Sequence, residues 1–323
     1  PASLAKLSLG APPVHQTLAV FPLLGDEAPR AADYLLLDEA LDQGCARVTE
    51  VSQGGSVPEL RFENDCTRPV LILDGEELVG AKQNRVLNLS VLAPAGQTII
   101  PVSCVEAGRW RHTSAAFRSG GRAHYASGRA NKARAVSASL AAEGTRRSDQ
   151  GEVWADIDAK MSRMGADSGT RAAAAMFESR QEQLAAYRGA MATVPGQCGA
   201  LFAIAGRFAG LDLFDSPETL AKVLPKLVES VALDAIDRTG EGGEASPEYL
   251  ETVLSDVAVA DVQAFPGVGL GEDLRVSAPN LSGGALVADA RVLHLYAFPV
   301  EGEPAGQGRP RTRMARASQR RRR

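Results

Sequence analysis

At 323 residues, with a net charge of −4, 45% hydrophobic and 23% charged residues, the chain has the composition of a globular protein with one large or two closely packed domains. A fibrous or wholly disordered chain is excluded, and no apolar run approaches the roughly 18 to 20 residues that would span a bilayer as a helix. The four cysteines, Cys45, Cys66, Cys104 and Cys198, form no CxxC pair and are too few for a disulfide framework. Residues 1–20 also lack the basic start and apolar middle of a signal peptide, so a reducing, cytoplasmic setting is expected.

In chain order, residues 14–110 read as short strands: Gln16–Leu24, Ala46–Val51, Leu60–Asn64, Pro69–Leu73, Glu77–Ala81, Val86–Leu92 and Thr98–Glu106. Glycine and proline punctuate them at Gly54-Gly55, Asp74-Gly75 and Pro94-Ala95-Gly96. An antiparallel sandwich or barrel-like sheet is the economical arrangement. Asp74-Gly75, between Val70–Leu73 and Glu77–Val79, carries the chemistry of a two-residue hairpin because glycine tolerates the positive φ it needs. Residues 111–150 turn rich in Ser, Gly, Ala and Arg and read as a basic excursion or lid with a short helix at Asn131–Ala142.

Two helices follow over Glu152–Met164 and Gly169–Ala190, interrupted at Gly165, with Ser168 or Thr170 as the second N-cap. Gly199–Phe208 reads as a strand turning at Ala205-Gly206-Arg207. Ser216-Pro217-Glu218 opens a helix toward Asp237 that Pro225 should kink or split. A polar linker at 240–247, a helix at Pro247–Val257 and strand patterns at Ala258–Pro266, Gly271–Pro279 and Gly284–Pro299 complete the ordered chain. The fold class is therefore α+β: a β-rich domain (1–110), the excursion (111–150), a mixed α/β part packed on the first (151–300) and a disordered arginine-rich tail (301–323).

Charge is unevenly spread. The last fifteen residues hold Arg309, Arg311, Arg313, Arg316 and Arg320 through Arg323, without which the rest stands at about −12. A second basic stretch runs from Arg109 to Arg147, with Arg111, Arg118, Arg122, Arg129, Lys132 and Arg134 against Glu143 alone. Both are places to expect an anion. Nucleic-acid binding through the tail is the weaker use of them, because no aromatic residues interleave the arginines.

The densest polar run is Asp74-Gly75-Glu76-Glu77-Leu78-Val79-Gly80-Ala81-Lys82-Gln83-Asn84-Arg85, set among apolar strands. Strand alternation points Glu76 and Glu77 to opposite faces, so they cannot share a proton. Glu77 with Lys82, Gln83, Asn84 and Arg85 has the donors and acceptors to recognise a phosphate-bearing ligand; the competing reading is a hairpin-end network of hydrogen bonds and ion pairs. A second run, Pro101-Val102-Ser103-Cys104-Val105-Glu106-Ala107-Gly108-Arg109-Trp110, puts Cys104 and Glu106 on one face. Cys104 as a nucleophile needs an activating base or cation such as His112 or Arg109; otherwise it is a buried structural thiol. Trp110 either stacks on a base or sugar or anchors a sheet edge.

His15, His112, His124 and His294 show no metal-ligand spacing, and no Walker loop or Rossmann fingerprint is present, so no cofactor is named. The two polar runs resemble the ARG and rhodanese-phosphatase-superfamily-associated protein domain family, where ARG denotes ADP-ribosylglycohydrolase. Softer likeness at Phe21-Pro22-Leu23, Leu37–Leu41 and Gly206–Phe214 extends it over about residues 15–236. The resemblance implies a role near ADP-ribose or NAD-derived metabolites, and the family name carries no catalytic assignment.

Two functions follow as expectations. In the first, Glu77, Cys104 and Glu106 act on a nucleotide or ribose phosphate held by Lys82, Gln83, Asn84, Arg85, Arg109 and Trp110, with Glu77 or Glu106 as general base. In the second, the same residues sense such a ligand or brace the fold. Convergence of the two runs in one cleft favours a site, and mutual ion pairs closing the cluster favour the brace.

Overall fold

The computed structural model describes residues 7–25, 30–52, 54–238 and 243–300. Among them are 18 strands and seven helices, an α+β fold rich in strand. The N-terminal part contains β1 (Ser8–Leu9), β2 (Val14–His15), β3 (Leu18–Leu24), β4 (Leu35–Leu36), α1 (Leu37–Asp42), β5 (Ala46–Glu50), β6 (Glu59–Asn64) and β7 (Val70–Ile72). Next come β8 (Glu76–Gly80), β9 (Arg85–Leu87), β10 (Val91–Ala93), β11 (Gly96–Cys104), β12 (Phe117–Ala123), α2 (Ala126–Glu143), α3 (Gln150–Met164), α4 (Ala174–Glu178) and α5 (Gln181–Ala190). The remainder is β13 (Gln197–Ile204), β14 (Arg207–Phe214), α6 (Pro217–Asp237), α7 (Pro247–Val259), β15 (Asp261–Pro266), β16 (Glu272–Ala278), β17 (Leu281–Ala288) and β18 (Arg291–Pro299).

These strands form a closed six-stranded barrel in the order β11-β6-β5-β12-β8-β9, a three-stranded sheet β10-β7-β4, and a nine-stranded sheet running β1-β3-β13-β14-β18-β17-β16-β15 with β2 on β3. The barrel is filled by Val48, Leu60, Phe62, Leu78, Leu87, Ile100, Val102 and Phe117. Helices α2 and α6 pack on the large sheet with Tyr296, Phe298, Val228 and Val231 in the shared core, and α7 covers its other apolar layer through Leu250, Val253 and Val257.

Several expectations change. The barrel-like sheet exists, but Leu18–Leu24 does not belong to it, pairing instead with β13. The Asp74-Gly75 hairpin does not form: β7 pairs with β10 and β4, whereas β8 pairs with β9 and β12. Gly75 still uses its positive φ of 79°, at the point where the chain leaves the small sheet for the barrel. The hairpin of this region is β8–β9, turning over Ala81–Asn84. Residues 111–150, expected as an excursion, supply β12, which completes the barrel, and α2, which buries Arg129, Ala130, Lys132, Ala133, Val136 and Leu140. Alanine favours helix, and Gly144 ends α2 in the left-handed region.

The helix expected over Gly169–Ala190 is two short ones, α4 and α5, neither capped by Ser168 or Thr170. Pro225 does not split α6. It and Ala221, whose carbonyl it leaves without an amide partner, lie on the exposed face, where that carbonyl is open to solvent. Cys45 and Cys66 are joined by a single disulfide, where the spread of four cysteines points to no disulfide framework. Closure of the β5–β6 ladder, in which Ala46 faces Asn64, brings them together, so the cysteines do not by themselves argue for a reducing setting. No helix among the described residues is long and apolar enough to cross a membrane. The tail at 301–323 lies outside the described residues.

Candidate functional site

Following the antiparallel ladders around the barrel places the ends of β5, β8 and β11 and the starts of β6, β9 and β12 at one mouth. Both polar runs lie there. The β8–β9 turn contributes Lys82, Gln83 and Asn84; β9 begins at Arg85, directly across from Cys104 at the end of β11; and Glu106, Arg109 and Trp110 follow in the β11–β12 connection. Alternation puts Arg85 on the face of Leu87, Cys104 on that of Val102 and Glu50 on that of Val48. Since Leu87, Val102 and Val48 fill the barrel, Glu50, Arg85 and Cys104 form a polar layer above them.

Most of this layer is internally satisfied. Gln83 Oε1 accepts from Arg85 Nη1 at 3.1 Å and from the Cys104 thiol at 3.1 Å, while Gln83 Nε2 donates to the Glu106 carbonyl at 2.9 Å. Glu106 accepts from Arg109 Nη2 at 2.6 Å, the Asn84 amide at 3.0 Å and the Thr170 hydroxyl at 2.7 Å. Arg109 also donates to the Ala81 carbonyl at 2.7 Å and Asn84 Oδ1 at 3.1 Å. Gln150, at the start of α3, exchanges two 2.8 Å hydrogen bonds with the Cys104 backbone. Lys82 donates its Nζ to the Gly54 carbonyl.

The exceptions are Arg85 and Glu50. Arg85 is fully buried, yet Nε and Nη2, which make up one edge of its guanidinium, have no hydrogen-bond partner; Glu50 Oε2 is likewise buried and unpartnered. Above Arg85 lies the Trp110 ring, centred 5.7 Å from Arg85 Cζ and 5.1 Å from Lys82 Nζ, and itself 49% exposed. A buried cation normally finds partners for all its donors, so an unpaired guanidinium edge next to an exposed aromatic ring suits an arriving oxyanion.

Burial and neighbouring charges set the acid–base state of the cluster. Burial pushes the Cys104 thiol up, and Arg85 offsets that only in part, so a thiolate is disfavoured. Burial also works against the Glu106 carboxylate, but Arg109, Thr170 and the Asn84 amide outweigh it and hold its pKa below the ordinary range. With both oxygens engaged, Glu106 is a poor general base.

Glu77 stands apart from this network. It projects from the opposite face of β8 to Leu78, pairs with Arg122 at 2.9 Å, and is pushed by burial up to about 7. Glu76 and Asp74 are likewise taken up structurally: Glu76 meets Lys226 of α6 at 2.7 Å, and Asp74 meets Arg129 at 3.0 Å and Lys132, both of α2. The acidic half of the first polar run thus docks helices on the barrel. Part of the basic stretch is its counterpart, since Arg122 pairs with Glu77 and Arg129 and Lys132 with Asp74, while Arg109 and Arg146 pair with Glu106 and Asp273.

Glu50 is the mouth residue that the sequence conceals: it reads as the end of an ordinary strand, and only barrel closure sets it opposite β9. Cavities of about 550 and 370 Å³ lie elsewhere, along α2, and share Asn131, Arg134 and Asp156 in their walls. None of the anticipated site residues lines them. Among the described residues no three His, Cys, Asp or Glu side chains group as a metal would need. The family model of the ARG and Rhodanese-Phosphatase-superfamily-associated Protein domain matches residues 6–298. Among curated proteins and among solved structures, nothing matches the chain.

Proposed function

The chain belongs to the ARG and rhodanese-phosphatase-superfamily-associated protein domain family, and with that association in view we propose that it binds a phosphate-bearing small molecule of the ADP-ribose or NAD-derived class at the barrel mouth. The observation that carries this reading is the unpartnered edge of Arg85 beneath Trp110. Nε and Nη2 together make the side-on fork that grips two phosphate oxygens, and barrel mouths are common ligand sites. Trp110 shields the fork and moves aside as the ligand enters, then stacks on its sugar or base. Gln83, Asn84, Glu106 and Arg109 hold the fork in place through their mutual bonds and are positioning residues. Cys104 is a buried thiol of that frame.

Calorimetric titration with ribose 5-phosphate and ADP-ribose tests the reading. Arg85→Ala should weaken binding by about tenfold to a hundredfold, the worth of a charge-assisted hydrogen-bond pair, while Cys104→Ser leaves it intact. Unchanged affinity in Arg85→Ala, with the fold retained, removes the fork from the site.

A hydrolytic reading draws on one observation, the Glu77 carboxyl at about 7 with an unpartnered Oε1, which is the state of a general acid or base at neutral pH. Glu77 faces away from the Arg85 layer, which ranks binding first. Phosphate or nucleotide release that Glu77→Gln abolishes would reverse that order.

A further inference from the structure

We infer that Glu50 makes the barrel mouth selective for an anion that still carries a proton, a phosphate or phosphate monoester, over a fully ionised anion of the same shape such as sulfate. This rests on the reading of the mouth as an anion site.

The six-strand ring sets β5 three places from β9 in either direction, so Glu50 and Arg85 face each other across the mouth. Both point inward, both are buried, and they make no direct ion pair with one another; each keeps part of its hydrogen-bonding capacity unused. Glu50 Oε1 accepts the Lys82 amide at 3.3 Å, and Oε2 has nothing. Arg85 gives Nη1 to Gln83 and the Asn84 carbonyl, and its Nε and Nη2 have nothing. The unused donors, from β9, and the unused acceptor, from β5, therefore both belong to one small polar layer.

A guest that satisfies both groups must accept from one and donate to the other. Arg85 can only donate, and the Glu50 carboxylate can only accept. Sulfate at neutral pH offers acceptors alone, so it pairs with Arg85 but sets a bare oxygen against the Glu50 carboxylate in a buried, weakly screened place. A phosphate or its monoester in the singly protonated form offers P–O⁻ oxygens to the guanidinium and a P–O–H to Glu50 Oε2. Of the other positive groups at the mouth, Arg109 is bound to Glu106, while Lys82 gives the Gly54 carbonyl one of its three Nζ donors and attracts either anion, so the Glu50 contact is what distinguishes them. A carboxylate that repels the wrong guest gives specificity without adding affinity.

The experiment is a titration of the whole chain with inorganic phosphate and with sodium sulfate at equal ionic strength near neutral pH, for wild type, Arg85→Ala and Glu50→Gln, each first checked for an intact melting transition. Wild type should bind phosphate at least about tenfold more tightly than sulfate, the cost of one buried unmatched charge contact. Glu50→Gln, whose amide can donate, should bring the ratio close to one by tightening sulfate. Equal binding of the two anions by wild type, lost in Arg85→Ala, would leave the anion site standing and overturn the selectivity. So would a Glu50→Gln variant that keeps the wild-type ratio. Binding of neither anion would overturn the selectivity and the anion site together. If Glu50→Gln does not fold, the wild-type ratio decides alone, and a ratio near one overturns the inference.

Discussion

Burial pushes the Glu77 carboxyl up to about 7, and the Arg122 guanidinium only partly offsets that. The folded chain then retains a proton that the unfolded chain gives up near the ordinary glutamate value, so the stability this proton supplies is full below about pH 4.5 and is lost as pH rises through 7. Comparing denaturant unfolding of wild type and Glu77→Gln should show the difference moving toward the variant between about pH 5 and 8, by up to roughly 3 kcal/mol. A flat difference would return Glu77 to an ordinary carboxylate. That Glu76 and Glu77 part company was legible from alternation alone, and they do take different partners, Lys226 and Arg122. Which partners they take was not legible, since Lys226 comes from a helix far along the chain. The convergence of Gln83, Asn84, Arg85, Cys104, Glu106 and Arg109 was legible because each polar run interrupts apolar strand. Which of their groups would be left over was not, because it depends on counting hydrogen bonds in three dimensions.

At the scale of elements, α2 is the part the sequence disguised most. A buried helix usually shows an apolar stripe, but the inward face of α2 includes Arg129 and Lys132, and its small residues Ala126, Gly128, Ala130 and Ala133 resemble loop composition. Those cations are tolerated because Asp74 and Asp212 meet them: Arg129 Nη2 lies 2.7 Å from Asp212 and its Nε 3.0 Å from Asp74. Asp74→Ala would leave two buried cations short of a partner and should cost about 3–5 kcal/mol in urea unfolding. Adding Lys132→Ala should cost less than the sum of the two single changes, because both remove the same contact. Gly128 has a separate reason to be small: a Cβ there would come within 2.5 Å of His124 Nε2 and 2.7 Å of the Tyr125 ring. Gly128→Ala should therefore destabilise by about 1–3 kcal/mol, read as a lowered melting temperature. The Asp74-Gly75 turn misled for the opposite reason, its local chemistry being right for a hairpin while the strands it joins prefer partners in two different sheets.

At the scale of the whole molecule, two devices tie distant parts together. The disulfide closes the β5–β6 loop, and by chain entropy a loop of that length is worth about 3 kcal/mol, so Cys45→Ser with Cys66→Ser, or a reductant, should lower the unfolding midpoint by a corresponding amount. The nine-stranded sheet is the other, and its pairing has a consequence for the order of assembly. The barrel strands follow one another closely in the chain and can pair as soon as they exist. By contrast, Pro22 of β3 faces Ala200 of β13, about 180 residues away, a separation that delays pairing. The apolar segment Leu18–Leu24 must therefore wait, with only the two-residue strands β1 and β2 available to pair with it, while the barrel and α2 form ahead of β13. In refolding followed by pulsed hydrogen exchange, amides of β6, β8 and β11 should gain protection before those of β3 and β13. During synthesis, β3 emerges long before β13 yet is among the last strands to be committed, and for that interval it is a segment in need of shelter from other chains.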